Sequence, residues 1–488
     1  MAQRILLAAA LVLAATALAD EAIVRIGLGK AERTMAGGFG ASWHAIRADV
    51  PGARSSAWGA NPPLDNVAAW RQIEDHAAWL GLDWLRVQID QRMYEPGHGQ
   101  FDLDGDEMRT LYRILDWCET HKADVFLQQM WGHVAWNAIA NVDPARSAPK
   151  SMAAFADGLA TLAEHLLKTR RYSCIKWLSI TNEPGREWSW WQGPSGPEPV
   201  TPGLAASRAA LERRNLKLPL SAPGWLEPRA PDLKRVDFDA HVGAYDLHWL
   251  SGLDAARQEL LADWATWAHG RGKPFFISEF GDVRFGSGAA DPGPASFKAA
   301  LANAETMVRG LAAGADAFSR CSFLNRGDID GQWQLLRTWD SKKGKHLKDV
   351  AIEPVPYYTL ALFTRFTAQS SEVLSAEVAA RSRKKKAPGI LAAALRSPKG
   401  NLTFFLVNPT EVEHNAAVQL TGLAAPLKLS CYQLTEAVLK DPAFKLVPGA
   451  ALAASKEAPG LSVKMPPLSL TALTSYSFAP DAPGAIAE

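Results

Sequence analysis

Two stretches of the chain decide its fold: I-K-W-L-S-I-T-N-E-P at 175–184 and K-P-F-F-I-S-E-F-G-D at 273–282. Each is a largely apolar run that stops at a glutamate, Glu183 in the first and Glu279 in the second. Consecutive apolar residues suit a strand buried on both faces, the environment of a parallel sheet covered by helices. Outward from these two runs the pattern repeats. Strand-like segments at 38–43, 84–89, 123–129, 175–181, 218–222, 244–249, 274–279 and 316–323 alternate with segments whose apolar residues recur at three-to-four spacing, such as Val67, Trp70, Ile73, Ala77 and Leu80. Eight such alternations predict an α/β fold, a (β/α)8 TIM barrel over 37–369. No G-x-G-x-x-G follows the first strand and no P-loop occurs, so a nucleotide-binding open sheet does not fit. Beyond residue 370 the helical spacing gives way to short β-rich runs, among them N-L-T-F-F-L-V-N, which predict a β-sandwich domain over 370–488. The N-terminal segment 20–36, with its strand-like E-A-I-V-R-I-G-L, is placed with that domain.

Composition bounds the partners. Lysine plus arginine, 52, nearly equals aspartate plus glutamate, 51, which argues for neither nucleic acid nor an anionic membrane. The basic run R-S-R-K-K-K at 381–386 reads as a solvated loop. Residues 1–19 read as a secretory signal: Arg4, an apolar run, then Ala17-Leu18-Ala19 as the cleavage site, so a secreted or periplasmic protein is expected. Cys118, Cys174, Cys321 and Cys431 stand isolated, without metal or redox spacing, and read as free thiols. Oligomeric state is unread. The outlying number is tryptophan, 18 residues against 8 tyrosines, a surplus that calls for a use.

The chemistry lies at the strand ends. A barrel aims catalytic side chains into one cleft from the carboxyl ends of its strands, and Glu183 and Glu279 end strands four and seven. Burying a carboxylate is costly unless it is paired or used. Two facing carboxylates are what glycosidic bond cleavage needs, one to protonate the leaving oxygen and one to attack the anomeric carbon or activate water.

At these motifs the chain resembles the clan A glycoside hydrolases, retaining barrel enzymes with catalytic glutamates on strands four and seven. The resemblance covers the barrel and rests on I-T-N-E-P, I-S-E-F-G, D-W-L-R-V-Q at 83–88 and Y-D-L-H at 245–248. It implies Glu183 as general acid/base, Glu279 as nucleophile, Asn182 on the substrate 2-hydroxyl, Arg86 beside Glu279 and His248 lining the catalytic subsite. It implies a carbohydrate substrate, no cofactor and no metal. Family 5 members usually carry His-x-Tyr at strand six, whereas His248 is followed here by Trp249 and Leu250 and the nearby tyrosine is Tyr245. In place of their strand-eight tryptophan the chain reads C-S-F-L-N, offering Phe323 and Asn325. The opening G-G-F-G-A-S-W-H and the trailing β-domain look more like families 30 and 39.

Further substrate contacts are expected from His44, His133, Trp131, Trp190 and Trp191, the indoles because sugar rings present apolar C–H faces that lie against aromatic planes. Trp136, Trp188, Trp333 and Trp339 belong to the same predicted loops. The reading is a secreted retaining hydrolase of a β-linked oligo- or polysaccharide. An exo-acting β-glycosidase on small glycosides and a non-catalytic carbohydrate-binding barrel are its alternatives. A metal-dependent amidohydrolase lacks its paired H-x-H ligands.

Overall fold

The computed structural model describes residues 20–47, 59–132, 134–186, 189–227, 237–285, 293–324, 333–340, 342–380 and 389–477. The signal reading at 1–19 and the basic run at 381–386 lie outside them.

After an initial strand β1 (Asp20–Thr34), the barrel is made by β2 (Phe39–Ala41), β3 (Trp84–Asp90), β4 (Asp124–Trp131), β5 (Ile175–Ser179), β6 (Tyr245–Trp249), β7 (Phe275–Phe280) and β8 (Ala317–Arg320). Their ladders are parallel throughout: β3–β4–β5 on one side and β6–β7–β8–β2 on the other. Single bridges complete the ring, Ser42 to Arg86 between strands one and two, then Leu178 to Leu220 and Ser221 to Ala244 through the fifth segment. That segment is reduced to two bridging residues because Pro219 and Pro223 flank it and can donate to no ladder.

Helices α1 (Val67–Leu80), α2 (Asp106–His121), α3 (Met152–Glu164), α4 (Thr201–Arg213), α5 (Ala255–His269), α6 (Phe297–Ala313) and α7 (Pro354–Arg365) cover the outside. Asn66, Ser151, Asp254 and Ser296 cap four of them, each side chain accepting from a backbone N–H in the first turn. Between the fifth segment and β6 the described residues hold the two-residue strand Trp225–Leu226, parallel to β6, and, as helix, only the short turn Asp239–His241. No helix among the described residues is long and apolar enough to cross a membrane.

The barrel interior is layered. Trp84, Phe126 and Phe276, with Ala244 and Ala317, form an apolar floor, the Trp84 ring lying 5.7 Å from Phe126 and 5.4 Å from Phe276. Above it sits a buried polar layer that includes Ser42, Arg86, Gln128, Asp246 and Ser319. Gly40 is required where strand one meets strand two, since a Cβ there would lie 1.6 Å from the carbonyl oxygen of Trp84.

The C-terminal strands are β9 (Glu372–Ala380), β10 (Leu391–Arg396), β11 (Leu402–Asn408), β12 (His414–Thr421), β13 (Leu427–Leu434), β14 (Ala450–Ala454), β15 (Gly460–Met465) and β16 (Ser469–Thr474). Hydrogen bonds join them with β1 into one sheet of nine strands, in the order β14-β13-β16-β11-β10-β9-β1-β12-β15, instead of the two sheets of the expected sandwich. The reason is β1: antiparallel to β9 and parallel to β12, it fills the place where two sheets would have separate edges. The sheet rolls until its edge strands β14 and β15 meet, around a core that includes Val24, Leu406, Val418 and Val463. Alternate residues face the barrel. Phe405 stacks on Phe363 of α7 at 4.2 Å between centroids, and the Arg33 Nη2 of β1 donates to the carbonyls of Leu311 and Ala315 at 2.8 and 2.7 Å, at the negative end of α6. Cys118, Cys174, Cys321 and Cys431 are free thiols, all but Cys431 buried.

Asp83, just before β3, is half-buried with its Oδ1 shut off from water, and burial pushes its carboxyl up to about 8. Such a group binds its proton more tightly folded than unfolded. Folding is therefore opposed increasingly as pH rises from about 4 toward about 8, and by a constant amount above that. Asp83→Asn is expected to raise the melting temperature by several degrees at pH 8 and to change it little near pH 4, as read by calorimetry. An equal shift at both values would remove the carboxyl as its cause.

Candidate active site

Glu183 lies four residues beyond the end of β5 with φ +45°, a left-handed conformation that a side chain rarely adopts and that surrounding structure must enforce. The enforcement is visible. Gln128 Nε2 and Ser179 Oγ both donate to the Thr181 carbonyl at 3.0 Å, Ser189 Oγ donates to the Asn182 carbonyl, and the Glu183 N–H donates to the Gly224 carbonyl at 3.2 Å. The loop is thus clamped from strand three and from the turn after the fifth segment.

Glu279 is aimed by a different device. Along β7, Phe276 belongs to the barrel floor and Ile277 to the outer core, so strict alternation would send Glu279 outward with Ile277. The register against β6 slips between Ile277 and Glu279, and this bulge brings Glu279 opposite His248 and into the interior.

Arg86 pairs with Glu279 and meets both neighbours of the other glutamate, Asn182 and His248. It is wholly buried. Its Nη1 donates to Glu279 Oε2, its Nη2 to Asn182 Oδ1 at 2.6 Å, and its Nε to Gln128 Oε1 at 2.6 Å. His248 completes the set, with Nδ1 at 2.8 Å from Glu183 Oε1 and 3.6 Å from Glu279 Oε2, and Nε2 at 3.5 Å from Arg86 Nη2. Arginine can only donate, so Nε2 is the acceptor and Nδ1–H donates to Glu183. Burial holds the His248 ring neutral, lowering its pKa to about 3; the nearby Arg86 charge works the same way and Glu279 opposes it. Side-chain oxygens of Glu183 and Glu279 and a ring nitrogen of His248 all lie within 4.8 Å of one another at the carboxyl-terminal mouth of the barrel.

Two carboxylates and an imidazole at this spacing are also the donor set of a divalent metal site. The Arg86 guanidinium, already paired with Glu279, supplies positive charge at the same place, and a dication held by these three groups would sit against it. One layer deeper, Asp246 accepts from the Ser278 N–H at 3.2 Å, and burial raises its carboxyl to about 7.

The site-lining expectations divide. Asn182, Arg86 and His248 meet the two glutamates. His44 is buried at the end of strand one against the Gln88 amide, next to Arg86. Trp131 is half-buried at the carboxyl end of β4. Tyr245 is corrected: it is three residues from His248 along one strand, hence on the opposite face, where its hydroxyl donates to Asp239 at 2.5 Å and its ring meets Trp264. Trp190 and Trp191 are corrected too. Both are buried, packed against each other and against Phe155, with Gly132 and Gly203 giving them room. Phe323 is buried against Trp43, whereas Trp333 lies over Gly281, two residues past Glu279. His133, Trp188 and Asn325 lie outside the described residues. Sequence reasoning missed Gln128 and Asp246, which period-two spacing from Phe126 and from His248 places on the inner face.

No protein-family model and no curated protein matches the chain. Its fold is shared with solved structures at low identity. A glycoside hydrolase family 30 subfamily 8 xylanase from Clostridium acetobutylicum is 14% identical, with 93% of this chain and 99% of that one covered and a TM-score of 0.61. A conserved exported protein from Bacteroides fragilis is 12% identical over 93% and 100%, with a TM-score of 0.66. A family 51 arabinofuranosidase from Xanthomonas axonopodis pv. citri is 13% identical over 93% and 99%, with a TM-score of 0.57. The motif resemblance and the fold therefore agree.

With His248 neutral down to about pH 3, its two ring nitrogens are expected to keep distinct imidazole shifts between pH 8 and 4 in 15N-histidine NMR. The signal is assigned by its loss in His248→Gln. A midpoint near the ordinary value of about 6.5 would contradict the arrangement described.

Proposed function

We propose that the chain is a retaining glycoside hydrolase that cleaves a β-linked oligo- or polysaccharide by double displacement. The observation that carries this reading is the approach of the Glu183 and Glu279 carboxylates to within 4.8 Å at the mouth of a (β/α)8 barrel, one paired with a guanidinium and the other with a neutral imidazole. Retaining enzymes hold their two carboxyl groups about 5–5.5 Å apart, too close for an intervening water and close enough for direct attack. The fold shared with a xylanase and an arabinofuranosidase supports the same class.

The chemistry follows from the contacts. Arg86 holds Glu279 Oε2, so Oε1 is the oxygen presented to the anomeric carbon. Glu183 Oε1 accepts from His248, so the transferable proton is carried on Oε2. In the first step Glu279 attacks the anomeric carbon, the glycosidic C–O bond breaks, and Glu183 gives its proton to the departing oxygen. In the second, Glu183 takes a proton from water, the water oxygen bonds the anomeric carbon, and the ester to Glu279 breaks, which restores both carboxyl groups. Two inversions retain the configuration. With Asn182 Oδ1 committed to Arg86, its Nδ2 is the donor available to the sugar 2-hydroxyl. Trp131 offers an aromatic wall to the same subsite. The leader-like 1–19 fits export, and the chain divides into the barrel over 37–369 and a β-unit built from 20–36 and 370–488.

Hydrolysis of a panel of defined β-linked oligosaccharides, with products followed by NMR, tests the reading and names the sugar. Retained configuration in the first product is expected, with no effect of chelators. Glu279→Gln and Glu183→Gln are each expected to lower turnover by about 10²–10⁴-fold while the melting transition persists. Glu183→Gln keeps more of its activity on substrates whose leaving group needs no proton. Full turnover by either variant, or an inverted first product, overturns the assignment.

A further inference from the structure

Arg320, the last residue of β8, is a buried cation that forms no ion pair among the described residues. Ser319 before it faces the inner polar layer, its Oγ 3.0 Å from that of Ser42, so Arg320 points outward, between the strand and helices α6 and α7. Only 3% of it is exposed. The carboxylates within its field already hold other arginines: Glu279 pairs with Arg86, and Asp282 with the Arg284 guanidinium. Its hydrogen bond among the described residues is a long one, from Nη1 to the Phe280 carbonyl at 3.4 Å. The Trp333 ring, with its centroid 5.6 Å from the guanidinium carbon, adds a weak attraction. Burial accordingly lowers the Arg320 pKa to about 10, and Cys321, Asp282 and Glu279 offset that only in part.

The guanidinium lines a cavity of about 210 Å³ between the end of β7 and helices α6 and α7. Its walls are mostly apolar, among them Phe280, Met307 and Leu360, and the free space at its centre takes about one particle the size of water. Asn303 of α6 also lines it, itself 4% exposed, and Asn303 Oδ1 has no hydrogen-bond partner among the described residues. A half-turn of the terminal amide presents Nδ2 instead, so Arg320 and Asn303 can both donate to one centre. A water there would accept those bonds and leave the buried charge uncompensated. Phosphate or sulfate, with four oxygens each, exceeds the space. A halide matches both the charge and the volume, and it tolerates apolar walls on its remaining sides. We propose that this cavity is a halide site, in which a chloride ion bridges Arg320 and Asn303 and supplies the counter-charge that the neighbouring carboxylates, already paired, do not. The site is independent of the glycosidase reading, since no substrate enters it.

The test is the melting temperature in sodium chloride against sodium gluconate at equal ionic strength, gluconate being too large for the cavity. Chloride is expected to raise it by about 2 °C, levelling off as the site fills, because an ion that binds only the folded chain stabilises it by mass action. Bromide gives a similar rise. Arg320→Met keeps the apolar stem and removes the charge, and Asn303→Asp places a carboxylate at the cavity wall. Each is expected to abolish the chloride-specific rise, and Asn303→Asp to melt higher in gluconate than the unaltered protein does. In crystals of the unaltered protein grown in sodium bromide, an anomalous peak is expected between Arg320 and Asn303, which decides the matter if neither variant folds. Equal melting in the two salts, a chloride-specific rise that survives in either folded variant, or a peak in bromide crystals without anomalous signal, hence water only, overturns the proposal.

Discussion

The buried guanidinium of Arg86 is the constraint around which the site is arranged. A charge with no access to water is tolerated only where opposite charge and hydrogen-bond acceptors surround it, since an uncompensated one costs several kcal/mol. Here those partners come from different parts of the ring: Glu279 from β7, Asn182 from the loop after β5, Gln128 from β4 and His248 from β6. Satisfying one cation therefore fixes the side chains gathered at the mouth of the barrel. The same requirement sets the His248 tautomer, because a group that can only donate must find an acceptor on the ring. One arginine thus couples the orientation of both glutamates.

Such a network needs a rigid support, and two features provide it. The aromatic floor of Trp84, Phe126 and Phe276 fills the barrel beneath Arg86, so the polar layer rests on packed rings. Outside, β1 makes the N-terminal residues part of a sheet otherwise built from the C-terminal strands, and Arg33 ties that sheet to the end of α6. The left-handed backbone at Glu183 is sustained by hydrogen bonds from both flanking strand ends. Strain and its restraint occur at the glutamate proposed as the acid/base.

The tryptophan surplus divides between core and cleft on the same physical ground. Trp43, Trp70, Trp84, Trp190, Trp191, Trp249 and Trp264 are fully buried, where a large ring fills volume between helices and strands. Trp131 is half-buried at the carboxyl end of β4, whereas Trp225, also half-buried, packs on Phe238 and Trp264. W-S-W-W stands in a polar loop, yet Gly132, Phe155 and Gly203 receive its two adjacent indoles from other elements. Burial is a property of what returns to cover a segment.

The sequence by itself determined what depends on neighbouring residues. Eight apolar runs, the helical spacing between them and the placement of Glu183 and Glu279 at strand ends are local patterns, and the ring of parallel segments follows from them. Parity along Y-D-L-H already separates Tyr245 from His248. Tertiary structure alone decided the rest. The slip that turns Glu279 inward arises from pairing with β6, the joining of the C-terminal strands into one sheet arises from β1 inserting between β9 and β12, and the turn at Gly224 is fixed by lying against His248 and Asp246. Each of these is a contact between residues tens or hundreds of positions apart, and periodicity within a single segment holds no record of such a partner.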